Sequence, residues 1–453
     1  MFQSFRIAVK EARQHGELYF VALLDQQSIL AALGSASSLW QGWLYTPAVT
    51  IWVFLSQCLS PDHSCRDAVA RLAAWRVTEG RPPCSPETGA YCAARDALPE
   101  EACHQLVCRT GRELEAQAPP EWLWHKRRVR VADGSTVTMP DTAENQAEYP
   151  QAKTQKRGCG LPIARVLVVF SLAVGTVLEA AIGPYKGKQT GECSLLRGLI
   201  HVLEVGDVLL ADRCFSGWFD LALVWRRGAD IVVRKHQRRA TDFRTGKRLG
   251  HDDHLVRLVK PPKPEWMSDE EYAALPEELV LREVRVRVKQ RGFRSKTLVI
   301  VTTLLDAEEF SAEEIATLYR RRWDAELQLR SLKTVLQMDH LRCKTPHRVR
   351  NEFSMHLLAY NLIRRVMALA AIETDNSPWQ ISFKGALQTL NNFLPLLVSC
   401  MPLDAGCSAL VACVAAHVVG NRPDRYEPRR VKRRPKPYKL MQEPRDNYRK
   451  RMK

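Results

Sequence analysis

The sequence lacks any uninterrupted apolar run of about eighteen residues, the length that a membrane-spanning helix requires. Its nearest approach, residues 408–420, is too short and contains His417. The N-terminal segment MFQSFRIAVKEARQHGE is polar and has no apolar block of the kind found in secretory signals. We therefore expect a protein without membrane association, located in the cytoplasm.

Paired cysteines at short spacing are also missing. Thirteen cysteines are scattered along the chain, and Cys103 and Cys108 are too far apart for a C-x-x-C zinc knuckle. No second pair follows them. An odd number of cysteines on a chain of 453 residues is typical of reduced thiols and argues against a disulfide framework.

Acidic residues are in deficit: 67 Lys and Arg oppose 50 Asp and Glu, which gives a net charge of +17. This excess indicates a polyanionic partner, such as nucleic acid. The tail, 421–453, carries 14 basic and 4 acidic residues, a net of +10 (14 − 4), and we expect it to be flexible. It could follow phosphate backbones, or it could simply aid solubility.

The length suits two or three domains. Residues 1–121 have apolar positions at helical spacing, which predicts a helical N-terminal domain. Within it, 66–77 is a predicted helix, and Ser85-Pro86 would begin the next one. Such a pair could form a DNA-reading module, but two packed core helices fit the same pattern.

From about residue 129 the pattern changes to β-branched strands, beginning with VRVADGSTVTM, and then to strands alternating with helices. This predicts an α/β domain with a mixed sheet over 122–372, with a β-rich insertion at about 237–303. A long helix over about 312–336 follows the insertion. A helical C-terminal region over 373–420 and the basic tail complete the predicted domains.

The predicted helix 312–336 carries a polar stripe. Tyr319, Arg322, Glu326 and Lys333 fall within an arc of roughly 60° at 3.6 residues per turn. A carboxylate in such a stripe can hold a divalent cation, and the flanking cations can bind phosphates. An exposed helix face with an ordinary Arg322–Glu326 ion pair explains the same pattern.

Two aspartates stand in strand contexts. Asp133 lies in VADGS, which could be a hairpin turn, and Asp212 ends VLLAD, where it could be a helix cap or a turn residue. An acid in the first strand, one at the tip of the fourth and Glu326 on a late helix follow the order that resembles ribonuclease-H-like nucleases. In those proteins the three acids hold two divalent ions, and an all-carboxylate cluster suits Mg²⁺.

The same residues resemble the DDE transposases of bacterial insertion sequences, specifically insertion sequence family four. The family signature Y-x2-R-x3-E-x6-K is matched from Tyr319 to Lys333, V-x-D-G-[ST] from Val131 to Ser135, and LLADRxF from Leu209 to Phe215. The resemblance covers most of the chain.

The resemblance implies a metal-dependent transposase that cuts the terminal inverted repeats of its element and joins the 3′-hydroxyl ends to target DNA. It implies that Asp133, Asp212 and Glu326 are catalytic and coordinate two Mg²⁺ ions, for which Mn²⁺ could substitute. Tyr319, Arg322 and Lys333 would contact phosphates. It also implies a homodimer on double-stranded DNA, N-terminal helices that read the repeats, and a place in the bacterial cytoplasm with the nucleoid.

Some relatives pass through a DNA hairpin and stack a flipped base on a tryptophan of the insertion. The comparable strand here reads Lys296-Thr297-Leu298, without that tryptophan. Trp266 is in the insertion, and Trp323, beside the stripe, is expected to pack the helix. Two other functions stay open: a ribonuclease-H-like nuclease that never joins strands, and a non-catalytic DNA-binding remnant.

Overall fold

The structure, a computed structural model, describes residues 1–14, 23–34, 44–287, 297–420 and 441–451. The strands are β1 Val129–Thr138, β2 Ile163–Ser171, β3 Val177–Pro184, β4 Val208–Ala211, β5 Asp230–Arg234, β6 Lys247–Gly250, β7 Asp253–Val259, β8 Glu278–Arg287 and β9 Thr297–Thr302. The helices are α1 Phe2–Gln14, α2 Gln26–Leu33, α3 Pro47–Leu59, α4 Cys65–Thr78, α5 Gly89–Asp96, α6 Glu100–Ala116, α7 Ala143–Glu148, α8 Glu192–Leu199, α9 Trp218–Arg226, α10 Asp269–Ala273, α11 Ala312–Arg320, α12 Trp323–Arg330, α13 Pro346–Glu373, α14 Phe383–Ser399, α15 Leu403–Ala416 and α16 Arg445–Arg451.

The chain divides into two compact units. Unit 1 comprises 1–126, 169–179 and 327–420, and unit 2 comprises 127–168, 180–326 and 421–453. The short segment 169–179 contains the turn between β2 and β3. The end of β2 and the start of β3 therefore belong to unit 1, and the rest of each strand belongs to unit 2.

A nine-stranded sheet of order β3-β2-β1-β4-β5-β9-β8-β7-β6 organises the α/β part. β1, β4 and β5 are parallel, whereas β9 runs antiparallel to β5. This mixed sheet, preceded and followed by helical segments, confirms the predicted ribonuclease-H-like α/β fold. The strands predicted for the β-rich insertion are present, and they continue this same sheet from β9 to β6.

Strand β4, in the middle of the sheet, is buried on both faces. All four of its residues are fully buried, and successive side chains of a strand point to opposite faces, so both faces are covered. On the neighbouring strand β1, the buried Arg130 donates from Nε to Oδ2 of Asp207, the residue before β4, at 2.9 Å. This ion pair at the start of β4 holds β1 and β4 side by side.

Helix α13 is the core of unit 1, with 21 of its 28 residues buried. By length and composition it could cross a membrane, but 89% of its most apolar window is buried within the protein, as in the core helix of a folded domain. Its Asn361 accepts from Val177 N at 2.7 Å and donates to the carbonyl oxygens of Val107 and Val177. Asn361 thereby ties α6 and the start of β3 together.

Two predictions about helices are wrong. Ser85-Pro86 does not begin a helix; the chain stays irregular over 81–88, and α5 begins at Gly89. The continuous helix over 312–336 is also not formed. α11 ends at Arg320, α12 runs over Trp323–Arg330, and a π-helical turn occupies Ser331–Val335.

The predicted flexible tail lies largely outside the described residues, apart from 441–451, where α16 forms.

Candidate active site

Asp133 lies in the middle of β1, which continues without a turn to Thr138. The hairpin alternative for Asp133-Gly134 is therefore wrong. The backbone N–H of Gly134 donates to Asp133 Oδ1 at 3.0 Å. The preceding residues 129–132 are buried, and the chain becomes partly exposed over 133–136.

Asp212 follows the last residue of β4 in extended conformation, with φ −81° and ψ 173°. It occupies the position before a 3₁₀ turn, but its side chain makes no capping hydrogen bond, so the helix-cap alternative does not account for it. β1 and β4 pair in parallel with Val131 opposite Leu210. Two residues further on, this register sets Asp133 level with Asp212, and neighbouring strands are about 4.8 Å apart.

Glu326 is in the first turn of α12. The chain passes from α11 to α12 through tighter bonds between residues three apart, such as Ala325 N to Arg322 O at 3.1 Å. Arg322 Nη2 still donates to Glu326 Oε1 at 2.8 Å. The ion pair expected for an ordinary helix face is thus present, but the Arg322 side chain is only 13% exposed.

The Arg322 guanidinium interacts electrostatically with all three acids. Burial alone would lower the pKa of Arg322, but the hydrogen bond to Glu326 and the negative charges of Asp212 and Asp133 raise it overall. Burial, countered by Arg322 and reinforced by the charge of Glu326, raises the pKa of Asp133 to about 6. One guanidinium therefore lies within electrostatic reach of Asp133, Asp212 and Glu326.

Tyr319, at the end of α11, is 8% exposed. Burial raises the pKa of its hydroxyl to about 12, so the group is neutral and can donate a hydrogen bond at physiological pH. Lys333, the last residue of the signature, lies in the π-helical turn and belongs to unit 1.

Sequence reasoning missed a fourth acid, Glu192, which is the first residue of α8. A Cβ built on Gly134 would lie 2.5 Å from Glu192 Cδ, so this carboxyl group contacts the residue after Asp133. Its Oε2 is 3.8 Å from Cys214 Sγ, two residues after Asp212. An acid in the first turn of a helix is common in any protein, so no local signal distinguished Glu192.

The tryptophans differ from expectation in one case. Trp266 packs within unit 2, with Arg197 Cζ 3.7 Å from its ring centroid and the Phe219 ring edge-on at 5.9 Å. Trp323, expected to pack the helix, is 43% exposed, because it begins α12 where the chain leaves the helical bend. Thr297 and Leu298 begin β9, while Lys296 lies outside the described residues.

Comparisons with known proteins match these features. The family model "Transposase DDE domain" matches residues 124–362, which include all three acids and the signature. Transposase InsG for insertion sequence element IS4 of Escherichia coli (strain K12) is 26% identical over 399 residues, covering 86% of this chain and 85% of that protein. The transposase for insertion sequence element IS421 of Escherichia coli is 36% identical over 97 residues, covering 19% and 26%.

A solved piggyBac transposase synaptic complex with hairpin DNA aligns over 90% of this chain and 87% of that chain, with 11% identity and a TM-score of 0.42. The family match suffices: the chain belongs to the DDE transposases, which cleave DNA and transfer its strands with divalent metal ions. Within them it is a member of insertion sequence family four.

Proposed function

We propose that Asp133, Asp212 and Glu326 are the catalytic carboxylates and hold two Mg²⁺ ions, for which Mn²⁺ can substitute. The observation that carries this proposal is the β1–β4 register, which sets Asp133 level with Asp212, together with an Arg322 guanidinium that interacts with both and hydrogen bonds to Glu326. The chain then cuts at the terminal inverted repeats of its element and joins the 3′-hydroxyl ends to target DNA.

The donor chemistry fits divalent cations. The acids offer only carboxylate oxygens, the ligands that Mg²⁺ prefers. The raised pKa of Asp133 reflects burial beside other acids, an arrangement that a bound cation stabilises. When bound, paired divalent ions activate an attacking hydroxyl and stabilise the leaving oxygen.

The chain's own side chains position the DNA. Arg322 offers a guanidinium fork that can hold a phosphate beside the acids, and the neutral Tyr319 hydroxyl can donate to a phosphate oxygen. Lys333 supplies a third phosphate contact. Because Arg322 already orients Glu326 in the free protein, little reorganisation is needed when the substrate arrives.

The remaining assignments follow from the family. The partners are double-stranded DNA with the terminal repeats and the target, and the working form is a homodimer that holds both ends. Helices of the domain 1–121 read the repeats, ahead of a catalytic domain over 122–372, a helical region over 373–420 and a basic tail over 421–453. The protein works in the bacterial cytoplasm at the nucleoid, and the net charge of +17 suits binding to DNA.

Strand transfer separates this function from a simple nuclease. Water and a 3′-hydroxyl use the same acids, so cleavage alone does not discriminate. We expect the purified chain, given pre-cut terminal ends, a supercoiled target and Mg²⁺, to form covalently joined products. Hydrolysis without joining would indicate the nuclease. DNA binding with neither reaction would indicate the non-catalytic remnant.

The affinity for divalent metal should depend on pH through Asp133. A proton on Asp133 competes with the metal, so with a pKa of about 6 the apparent affinity should fall roughly tenfold for each pH unit below 6 and level off above it. Calorimetric titration with Mn²⁺ from pH 5 to pH 8 measures this curve.

Two variants should move the pH at which metal affinity begins to fall, the midpoint of this curve, in opposite directions. Glu192→Gln removes a negative charge that raises the pKa of Asp133, so the midpoint should fall; Arg322→Met removes a cation that lowers it, so the midpoint should rise. The exposed Glu313→Gln on α11 is the control and should leave it unchanged. Identical midpoints in all three variants would contradict the electrostatic account.

A further inference from the structure

A second group of metal-ligating side chains lies in unit 1, apart from the acids. His104 and Cys108 are four residues apart on α6 and therefore share one face of the helix. Glu179 reaches the same place from β3. One donor atom from each side chain lies within 4.8 Å of the other two.

The backbone around this group is closely packed. A Cβ built on Gly111 of α6 would lie 2.0 Å from the carbonyl oxygen of Val177, so the helix touches the start of β3. Glu179 is two residues further along β3, so its side chain lies on the same face of the strand as that of Val177. The Glu179 side chain is only 3% exposed. Cys108 is also buried, whereas the His104 side chain is 36% exposed.

The contacts converge on one point. His104 Nε2 is 2.5 Å from Glu179 Oε1 and 3.7 Å from Cys108 Sγ, and Cys108 Sγ is 3.4 Å from Glu179 Oε2. In a proton relay the thiol and the carboxylate would contact opposite ring nitrogens. Here both contact Nε2, which is the arrangement of three ligands around a common centre.

The distances suit a tetrahedral ion. Zn²⁺ bond lengths of about 2.0–2.1 Å to nitrogen, 2.3 Å to sulfur and 2.0–2.2 Å to oxygen give ligand separations of about 3.6 Å for N···S and S···O and about 3.4 Å for N···O. The two contacts of Cys108 Sγ already match. For Glu179 Oε1 to be the ligand, its contact with His104 Nε2 has to open by about 0.9 Å; the other oxygen, Oε2, is already at a suitable distance from Cys108 Sγ.

We propose that His104, Cys108 and Glu179 form a Zn²⁺ site that fastens α6 to β3, with water as the fourth ligand on the exposed His104 side. A thiolate and an imidazole select Zn²⁺ over the hard Mg²⁺ that suits the all-carboxylate cluster. Without metal, His104 Nε2 contacts Glu179 Oε1 directly. Arg112 Nη2, 3.7 Å from Glu179 Oε2, is half-exposed and can move away.

Cobalt provides the direct test, because Co²⁺ occupies zinc sites and its thiolate bond gives a charge-transfer absorption band. The full-length chain, stripped with a chelator, should bind one equivalent of Co²⁺ with this band in the presence of excess Mg²⁺, and one equivalent of Zn²⁺ should abolish it. Cys108→Ser and His104→Gln should each weaken Co²⁺ binding at least a hundredfold, since loss of an outer-shell partner alone costs about 10–100-fold.

Two cysteine controls make the result specific. Cys413→Ser removes an exposed thiol in unit 1 and should leave the band unchanged. Cys214→Ser removes the thiol beside Glu192 and should also leave it unchanged.

A band that survives Cys108→Ser but disappears in Cys214→Ser would overturn the proposal, and so would the absence of a thiolate band in the parent protein. Circular dichroism of each metal-free variant excludes misfolding as the cause of lost binding. The proposal does not depend on the transposition chemistry, since its readout is metal binding alone.

Discussion

Replacing Asp212 by Asn should reduce single-turnover cleavage of a terminal-repeat duplex by about a thousandfold or more. Metal ions contribute several kcal/mol to phosphoryl transfer, and each 1.36 kcal/mol corresponds to about a tenfold change in rate. The amide keeps the size of the carboxylate but loses the charge that holds the cation. DNA binding should persist, because the substitution removes a negative charge near the phosphates.

Asp141→Asn is the matched control. Asp141 is exposed shortly after β1, and its carboxylate accepts a hydrogen bond only at the surface, from Gln146 Nε2 at 2.7 Å. Gel-quench assays with Mg²⁺ and filter binding of the same duplex give the two measurements. A folded Asp212→Asn protein that cleaves within tenfold of the parent would remove Asp212 from the catalytic set.

Replacing Arg282 by Ala should destabilise unit 2 by about 3–5 kcal/mol, the cost of leaving one member of a buried ion pair unpaired. Arg282 on β8 is fully buried and donates to both carboxylate oxygens of Asp253 on β7, at 2.8 and 2.5 Å. Its Nη1 also donates to the carbonyl oxygen of Phe310 at 2.6 Å, directly before the start of α11. The substitution therefore also loosens the segment that leads to Tyr319 and Arg322.

Arg257→Ala on the neighbouring strand tests whether burial is the cause. Arg257 pairs with Glu278 across β7 and β8, but its side chain is 70% exposed, and an exposed pair contributes about 0–1 kcal/mol. Urea unfolding monitored by fluorescence gives the midpoints, and cleavage assays give the functional consequence. Equal midpoints for the two variants would show that the buried pair does not stabilise the sheet.

Much of the active site could be predicted because its local signals are strong. Buried stretches of strand precede Asp133 and Asp212, and the spacing from Tyr319 to Lys333 matches a known signature. The helix that carries this signature was predicted to be continuous, and the prediction failed at Arg321 and Arg322. Helical periodicity averages over a window, so it does not detect a bend between two good helical segments.

Glu192 illustrates a different limit. Nothing in its neighbours along the chain marks it, yet its carboxyl group lies against Gly134. That contact exists because β3 leads into α8 beside β1, at a distance of some sixty residues in sequence. The same holds for Glu179, which meets His104 and Cys108 only through the packing of β3 on α6.

The sequence alone determined the chemistry that is available: which residues are acidic, which strands are buried, and the motif that identifies the family. The tertiary structure decided which of these groups meet, because strand register and helix packing bring together residues far apart in the chain. The register between β1 and β4 sets Asp133 level with Asp212, and a slip of one residue would turn one of them to the opposite face of the sheet.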